Sequence, residues 1–149
     1  MRVVVQRVSQ AQVSVAGEVT GSIGKGLLVY LGAGADDTEK DAVYIAEKLV
    51  NLRIFADEAD KMNLSVFDVA GAVLLVSNFT LFGDCRKGRR PGFDAAAEPG
   101  MADQLYETVC RLISDKGLRV QKGVFGAYMQ VSSINDGPAT FILDSTKLF

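Results

Sequence analysis

Residues 27–32, Leu-Leu-Val-Tyr-Leu-Gly, form an unbroken apolar run, and residues 72–76, Ala-Val-Leu-Leu-Val, form a second. Such short apolar runs read as core strands, the first buried on both faces. A sheet holding such strands needs covering layers, and the chain supplies two amphipathic helices. The first opens at Asp36-Asp37-Thr38-Glu39, with acids in the first turn. Ala42, Ile45, Ala46, Leu49 and Val50 follow on one face. The second starts after Pro99-Gly100, runs for about four turns and ends at Gly117. Its apolar face is Ala102, Leu105, Tyr106, Val109, Leu112 and Ile113.

Alternation predicts further strands at residues 2–8, 11–15 and 19–23, and others are expected at 53–56, 119–121, 128–133 and 139–144. Residues 72–78 form the core strand that delivers Ser77-Asn78-Phe79-Thr80-Leu81 at its end. No repeat or linker interrupts residues 1–149, which read as one domain. The expected fold class is α+β: a largely antiparallel sheet or barrel with two helices packed on it.

The chain contains no histidine, which excludes every Ser-His and Cys-His triad and the usual His-rich zinc sites. Cys85 and Cys110 match neither a zinc motif nor a disulfide framework, and read as free thiols. No carboxylate cluster singles itself out, so neither metal nor cofactor is expected. No apolar run is long enough for a membrane span, and the opening residues lack a secretion signal. The expected location is therefore the cytoplasm. A net charge of −2 gives no whole-molecule attraction to nucleic acid.

Three segments could carry chemistry. In Ser77-Asn78-Phe79-Thr80-Leu81, two hydroxyls and an amide follow a buried strand, where a scaffold holds polar groups rigidly. The plainer reading is a strand-end turn in which Ser77 and Thr80 bond nearby backbone. Asn135-Asp136-Gly137-Pro138 reads as a tight hairpin turn. If its Gly-Pro bond is cis, it also offers a rigid pair of carbonyls with no side chain in the way. In Asp84-Cys85-Arg86-Lys87-Gly88-Arg89-Arg90-Pro91, four cations crowd around a glycine. Such a loop suits RNA phosphates or is simply a solvated charged loop. Gly123 and Gly126 bracket Phe125, where backbone could approach closely, but ordinary core packing is the favoured reading of Phe125 and Met129 from the residues alone.

Together these segments resemble the D-aminoacyl-tRNA deacylases, also called D-tyrosyl-tRNA deacylases, over nearly the whole chain. Two motifs of that family, Ser-Gln-Phe-Thr-Leu and Asn-X-Gly-Pro-X-Thr, stand here as Ser77-Asn78-Phe79-Thr80-Leu81 and Asn135-Asp136-Gly137-Pro138-Ala139-Thr140. The blocks Gly26-Leu27-Leu28-Val29, Leu52-Arg53-Ile54-Phe55, Arg90-Pro91-Gly92-Phe93 and Leu105-Tyr106-Glu107 also match.

The resemblance implies a homodimeric hydrolase that cleaves the ester of D-aminoacyl-tRNA, and of some glycyl-tRNA. The substrate contacts are the 3′-terminal adenosine and the amino acid. It implies that cis Gly137-Pro138 of one subunit faces Ser77, Phe79 and Thr80 of the other. An L-residue would push its Cβ into the paired carbonyls, while a D-residue or glycine would pass. Backbone N–H groups near Phe79 and Thr80 are the candidate oxyanion hole. Thr80 as nucleophile is the alternative, but the sequence supplies no base for it. Assistance from the ribose 2′-OH is a third route, and it fits the missing histidine. Arg7 matches an arginine that orients the Gly-Pro unit, or is a surface strand charge. Ala102 matches a residue lining the adenosine pocket, or is helix core.

Three departures stand out. Asn78 replaces glutamine and reaches one methylene less. Tyr128 stands where aspartate is usual, and Ser133 where an apolar residue is common. A rival from a different class is a non-catalytic RNA-binding module on a small β-barrel. That would explain the basic loop but neither uncharged motif.

Overall fold

The computed structural model describes residues 1–148. Its strands are β1 (Arg2–Val15), β2 (Glu18–Ile23), β3 (Gly26–Gly32), β4 (Phe55–Ala56), β5 (Met62–Leu64), β6 (Ala72–Ser77), β7 (Arg119–Lys122) and β8 (Met129–Asp144). Its helices are α1 (Glu39–Asn51) and α2 (Pro99–Asp115), with a short 3-10 turn at Phe79–Phe82. The main sheet runs β2-β1-β3-β6-β7, with β8 on the other edge of β1. Pairings of β1 with β2, β3 and β8 are antiparallel, while β3–β6 and β6–β7 are parallel.

Residues 2–15 form one strand where two were expected. Val3 and Val5 point into the helix-side core, whereas Val8, Ala11 and Val13 point to the opposite face. Val8 pairs with Asn135 and Gln10 with Ile134, so Ser9 is an extra residue in the ladder. This bulge resets the two-residue period. An alternation that breaks at Ser9-Gln10 therefore looks like two strands when read without its partner.

The core strands are buried on both faces. Leu27, Val29 and Leu31 join Val73 and Leu75 under the helices. Leu28, Leu74 and Val76 join Val8, Ala11, Val13 and Ile23 inside the curled sheet. A Cβ on Gly21 would lie 2.6 Å from the Lys122 carbonyl oxygen, so β2 lies against β7 and brings the sheet close to a barrel. The two helices cover the outer face through Ala42, Ile45, Ala46 and Leu49 of α1, and Leu105, Tyr106, Val109 and Ile113 of α2. Each large apolar side chain so buried contributes about 1.5–3 kcal/mol. Asp41 accepts the backbone N–H of Thr38 at 2.8 Å and so fixes the start of α1. Lys116 and Gly117, the latter at φ +88°, close α2.

The last segment overturns the hairpin expected at residues 135–138. The chain does not reverse there: residues 129–135 and 140–144 both pair with β1 in the same sense. Gln6 pairs with Thr140 and Val8 with Asn135, so residues 136–139 stand opposite Arg7 alone. Pro138 has no N–H to give to a ladder, and the segment loops out of an otherwise continuous strand. The short strand expected at 53–56 shrinks to β4 and pairs with β5, whose three residues carry no periodic signal.

Candidate active site

The parallel partner strand carries β6 to its end, where Ser77 pairs with Leu31 and the Asn78 N–H donates to the Leu31 carbonyl at 2.8 Å. The chain then tightens into the 3-10 turn, with the Gly83 N–H donating to the Thr80 carbonyl at 3.0 Å. Phe79 leaves the surface 56% exposed and meets Phe93 edge-on, with ring centroids 4.9 Å apart. Thr80 is exposed, and its hydroxyl donates to the Asn78 side-chain oxygen, not to backbone. The N–H groups of Phe79 and Thr80 open the turn and have no acceptor among the described residues.

This strand end is held from three directions. The buried Tyr106 hydroxyl of α2 donates to the Leu75 carbonyl at 2.9 Å, two residues before Ser77. Burial pushes that phenol far above its ordinary range, so it stays a donor. The Gly123 N–H donates to the same carbonyl at 2.9 Å. Arg2 donates to the Leu81 carbonyl at 3.2 Å and to Asp144 at 3.1 Å, with its guanidinium 4.6 Å from the centre of the Phe82 ring. Sequence reasoning missed Arg2, Tyr106 and Phe93 as supports, because their partners lie outside any local pattern, from 14 residues away for Phe93 to 79 for Arg2.

The second motif is built around Arg7. Its Nε donates to the Asp136 carbonyl at 2.9 Å and lies 3.1 Å from the Asp136 carboxylate. A second guanidinium nitrogen donates to the Ile54 carbonyl at 2.5 Å. The Asn135 amide donates to the carbonyls of Arg7 at 2.9 Å and Ala139 at 3.3 Å, pinching the base of the loop. The Gly137-Pro138 peptide bond is cis, and both residues are exposed at the tip.

Within one chain the two motifs do not meet. Strands β3 and β1 separate β6 from β8, a span of about 14 Å of sheet. Of the other expected site residues, Ala102 and Phe125 are half-buried against the helix-side core, with Phe125 6.2 Å from the Tyr106 ring centre. Met129 packs into the opposite cluster. Tyr128, one of the departures, is 99% exposed. Among the described residues, no group of three or more Cys, Asp or Glu side chains converges as a metal site would, and no helix is long and apolar enough to cross a membrane.

Fold and strand end together define a small barrel-like α+β protein with an exposed polar site that uses no histidine. The chain belongs to the D-Tyr-tRNA(Tyr) deacylase family, whose model matches residues 4–144. It is 58% identical over 149 residues to a protein of Alkaliphilus metalliredigens (strain QYMF) and 60% identical over 149 residues to one of Anaeromyxobacter dehalogenans (strain 2CP-C). Both are named D-aminoacyl-tRNA deacylase, and the matches cover 100% of each chain. Among solved structures, the c-Myc DNA Unwinding Element Binding Protein is 40% identical, with a TM-score of 0.90 over 97% of this chain and 98% of that one. A structure described as a probable eukaryotic D-amino acid tRNA deacylase is 19% identical, with a TM-score of 0.85 over 95% of this chain and 97% of that one; it shows the fold.

Proposed function

We propose that this chain hydrolyses the ester bond of D-aminoacyl-tRNA, releasing the D-amino acid and free tRNA. The observation that carries the reading is the turn at Phe79–Phe82, with two free amides and an exposed threonine at the end of a rigid strand. Its setting is a chain that belongs to the deacylase family along nearly its whole length. An ester already activated by the 3′-ribose needs orientation and a place for the oxyanion more than it needs a strong nucleophile. The Phe79 and Thr80 amides supply donors of the right kind. Water attacks, and the neighbouring ribose 2′-OH assists it. The Thr80 hydroxyl is occupied by Asn78, and no histidine stands ready to deprotonate it.

Chirality is read by the Gly137-Pro138 tip of a second subunit, which completes the site in a homodimer. The separation of the two motifs within one chain supports this, since a tip so far from its own turn is free to serve a partner's. An L-side chain collides with backbone there. A D-side chain points away, and glycyl-tRNA passes because glycine has no Cβ. Arg7 is the positioning residue of this tip. Ser77, Asn78, Ala102, Phe125 and Met129 frame the substrate less directly. The enzyme works in the cytoplasm.

Incubation with D-Tyr-tRNA and L-Tyr-tRNA tests this reading, with released tyrosine as readout. Rapid release from the D-ester alone is expected. Equal rates would remove the chiral filter. One solved relative is a DNA Unwinding Element Binding Protein, which favours a binding-only protein as the second reading. Tight tRNA binding with no release from either ester would decide for that alternative.

A further inference from the structure

We infer that the basic loop at residues 84–92 is a phosphate clamp that grips the acceptor end of the tRNA just inward of the reacting 3′-terminus. This rests on the deacylase reading and adds to it a second contact on the same substrate. The loop is a closed hairpin: the Asp84 N–H donates to the Gly92 carbonyl at 2.8 Å, and the Gly92 N–H returns to Asp84 at 3.0 Å. Gly88, at φ +71°, turns its tip. Both stems lead to the candidate site. One leaves through Gly83, whose N–H is bonded to the Thr80 carbonyl, and the other returns as Phe93, which packs on Phe79. The tip at Gly88 therefore lies at most about 14 Å from the loop's base at Asp84, which joins the turn that would hold the ester through Gly83 alone.

Three of the loop's four positive charges are not spent inside the protein. Asp84 engages Arg86, at 2.9 and 2.7 Å, and those hydrogen bonds hold its carboxyl down at about 2. Lys87, Arg89 and Arg90 have no acidic partner within ion-pair distance among the described residues, and all are exposed. An acidic protein that keeps three free cations on one small loop beside its site is built for a polyanion there. Nucleic acid is the polyanion the reaction supplies. The loop carries no exposed aromatic side chain for base stacking, so its grip falls on phosphates and is indifferent to base sequence.

Three measurements on the intact protein test this. Binding of deacylated tRNA is followed against salt for wild type, for the triple variant Lys87→Gln/Arg89→Gln/Arg90→Gln, and for Arg89→Lys/Arg90→Lys. The triple variant is expected to raise Kd about tenfold and to lower the slope of log Kd against log salt by about two to three. The lysine variant keeps most of both. Hydrolysis of the phosphate-free D-tyrosyl ester of adenosine is expected to be unchanged in the triple variant, while KM for D-Tyr-tRNA rises. Cys85 lies in the loop and is exposed, so saturating tRNA should slow its alkylation several-fold, and high salt should restore it. An unchanged Kd and salt slope in the triple variant, or Cys85 labelling indifferent to bound tRNA, overturns the clamp. If wild type hydrolyses neither ester, the deacylase reading falls, and the clamp is still judged by the binding curve.

Discussion

Arg7 holds Asp136 twice, by its backbone carbonyl at 2.9 Å and by its carboxylate at 3.1 Å, across the only gap in the β1–β8 ladder where several residues face one. The same guanidinium reaches the Ile54 carbonyl, so the loop at residues 136–139 is tied to the helix-side layer as well as to its own strand. A planar fork with several donors can do this, and a lysine cannot.

Arg7→Ala is therefore expected to loosen the tip without unfolding the protein. Each lost charged hydrogen bond costs about 1.5–3 kcal/mol in a buried setting, and less here because Asp136 is half exposed. Turnover of D-Tyr-tRNA should fall about tenfold or more, with a melting shift of only a few degrees. Arg7→Lys should recover little. Wild-type kinetics in Arg7→Ala would reduce Arg7 to a strand charge.

Thr80→Ala is expected to retain deacylation within about two orders of magnitude of wild type, because the proposed mechanism rests on the amides and not on the hydroxyl. Thr80→Ser should stay closer still. Single-turnover kinetics with rapid acid quench would detect an acyl-enzyme. A trapped acyl-enzyme in wild type, together with complete loss in a folded Thr80→Ser protein, would establish a threonine nucleophile instead.

Gly26→Ala probes the parallel pairing that places the site. The new Cβ would lie 1.9 Å from the Ala72 carbonyl oxygen, a backbone atom that cannot step aside. Destabilisation on the order of 3 kcal/mol or more is expected. The urea midpoint should drop by about 1–2 M. A midpoint within experimental error of wild type would contradict this close approach of β3 and β6.

The two cysteines should separate cleanly by reactivity. Cys85 is exposed, whereas Cys110 is buried in α2, and burial pushes its thiol up to about 12. A raised thiol pKa means that the reactive thiolate is scarce below that pH. Iodoacetamide at pH 8 should label Cys85 alone in the folded protein and both residues in urea. Mass spectrometry of tryptic peptides reads this directly, and native labelling of Cys110 would show that α2 opens.

Local pattern carried much of the architecture. The apolar runs in β3 and β6, the faces of α1 and α2, and the polar residues at the end of β6 all follow from side-chain periodicity and burial, which a single sequence displays. The placement of the helix ends at Thr38 and Gly117 belongs with these, since capping is decided within a few residues. The unbroken β1, the continuous β8 and the anchoring of Arg7, Arg2 and Tyr106 do not.

The amino-acid sequence by itself determined that this chain makes a covered sheet and works without histidine. Its two spaced motifs also pointed to the deacylase family. Only the tertiary structure decided that Asn135-Asp136-Gly137-Pro138 is no hairpin but a loop thrown out of one long strand opposite Arg7. The reason is that a turn signal describes local backbone preference, whereas the path of β8 is set by hydrogen bonds to β1, more than a hundred residues away. A strand that finds a long partner continues across residues that would otherwise have turned it back.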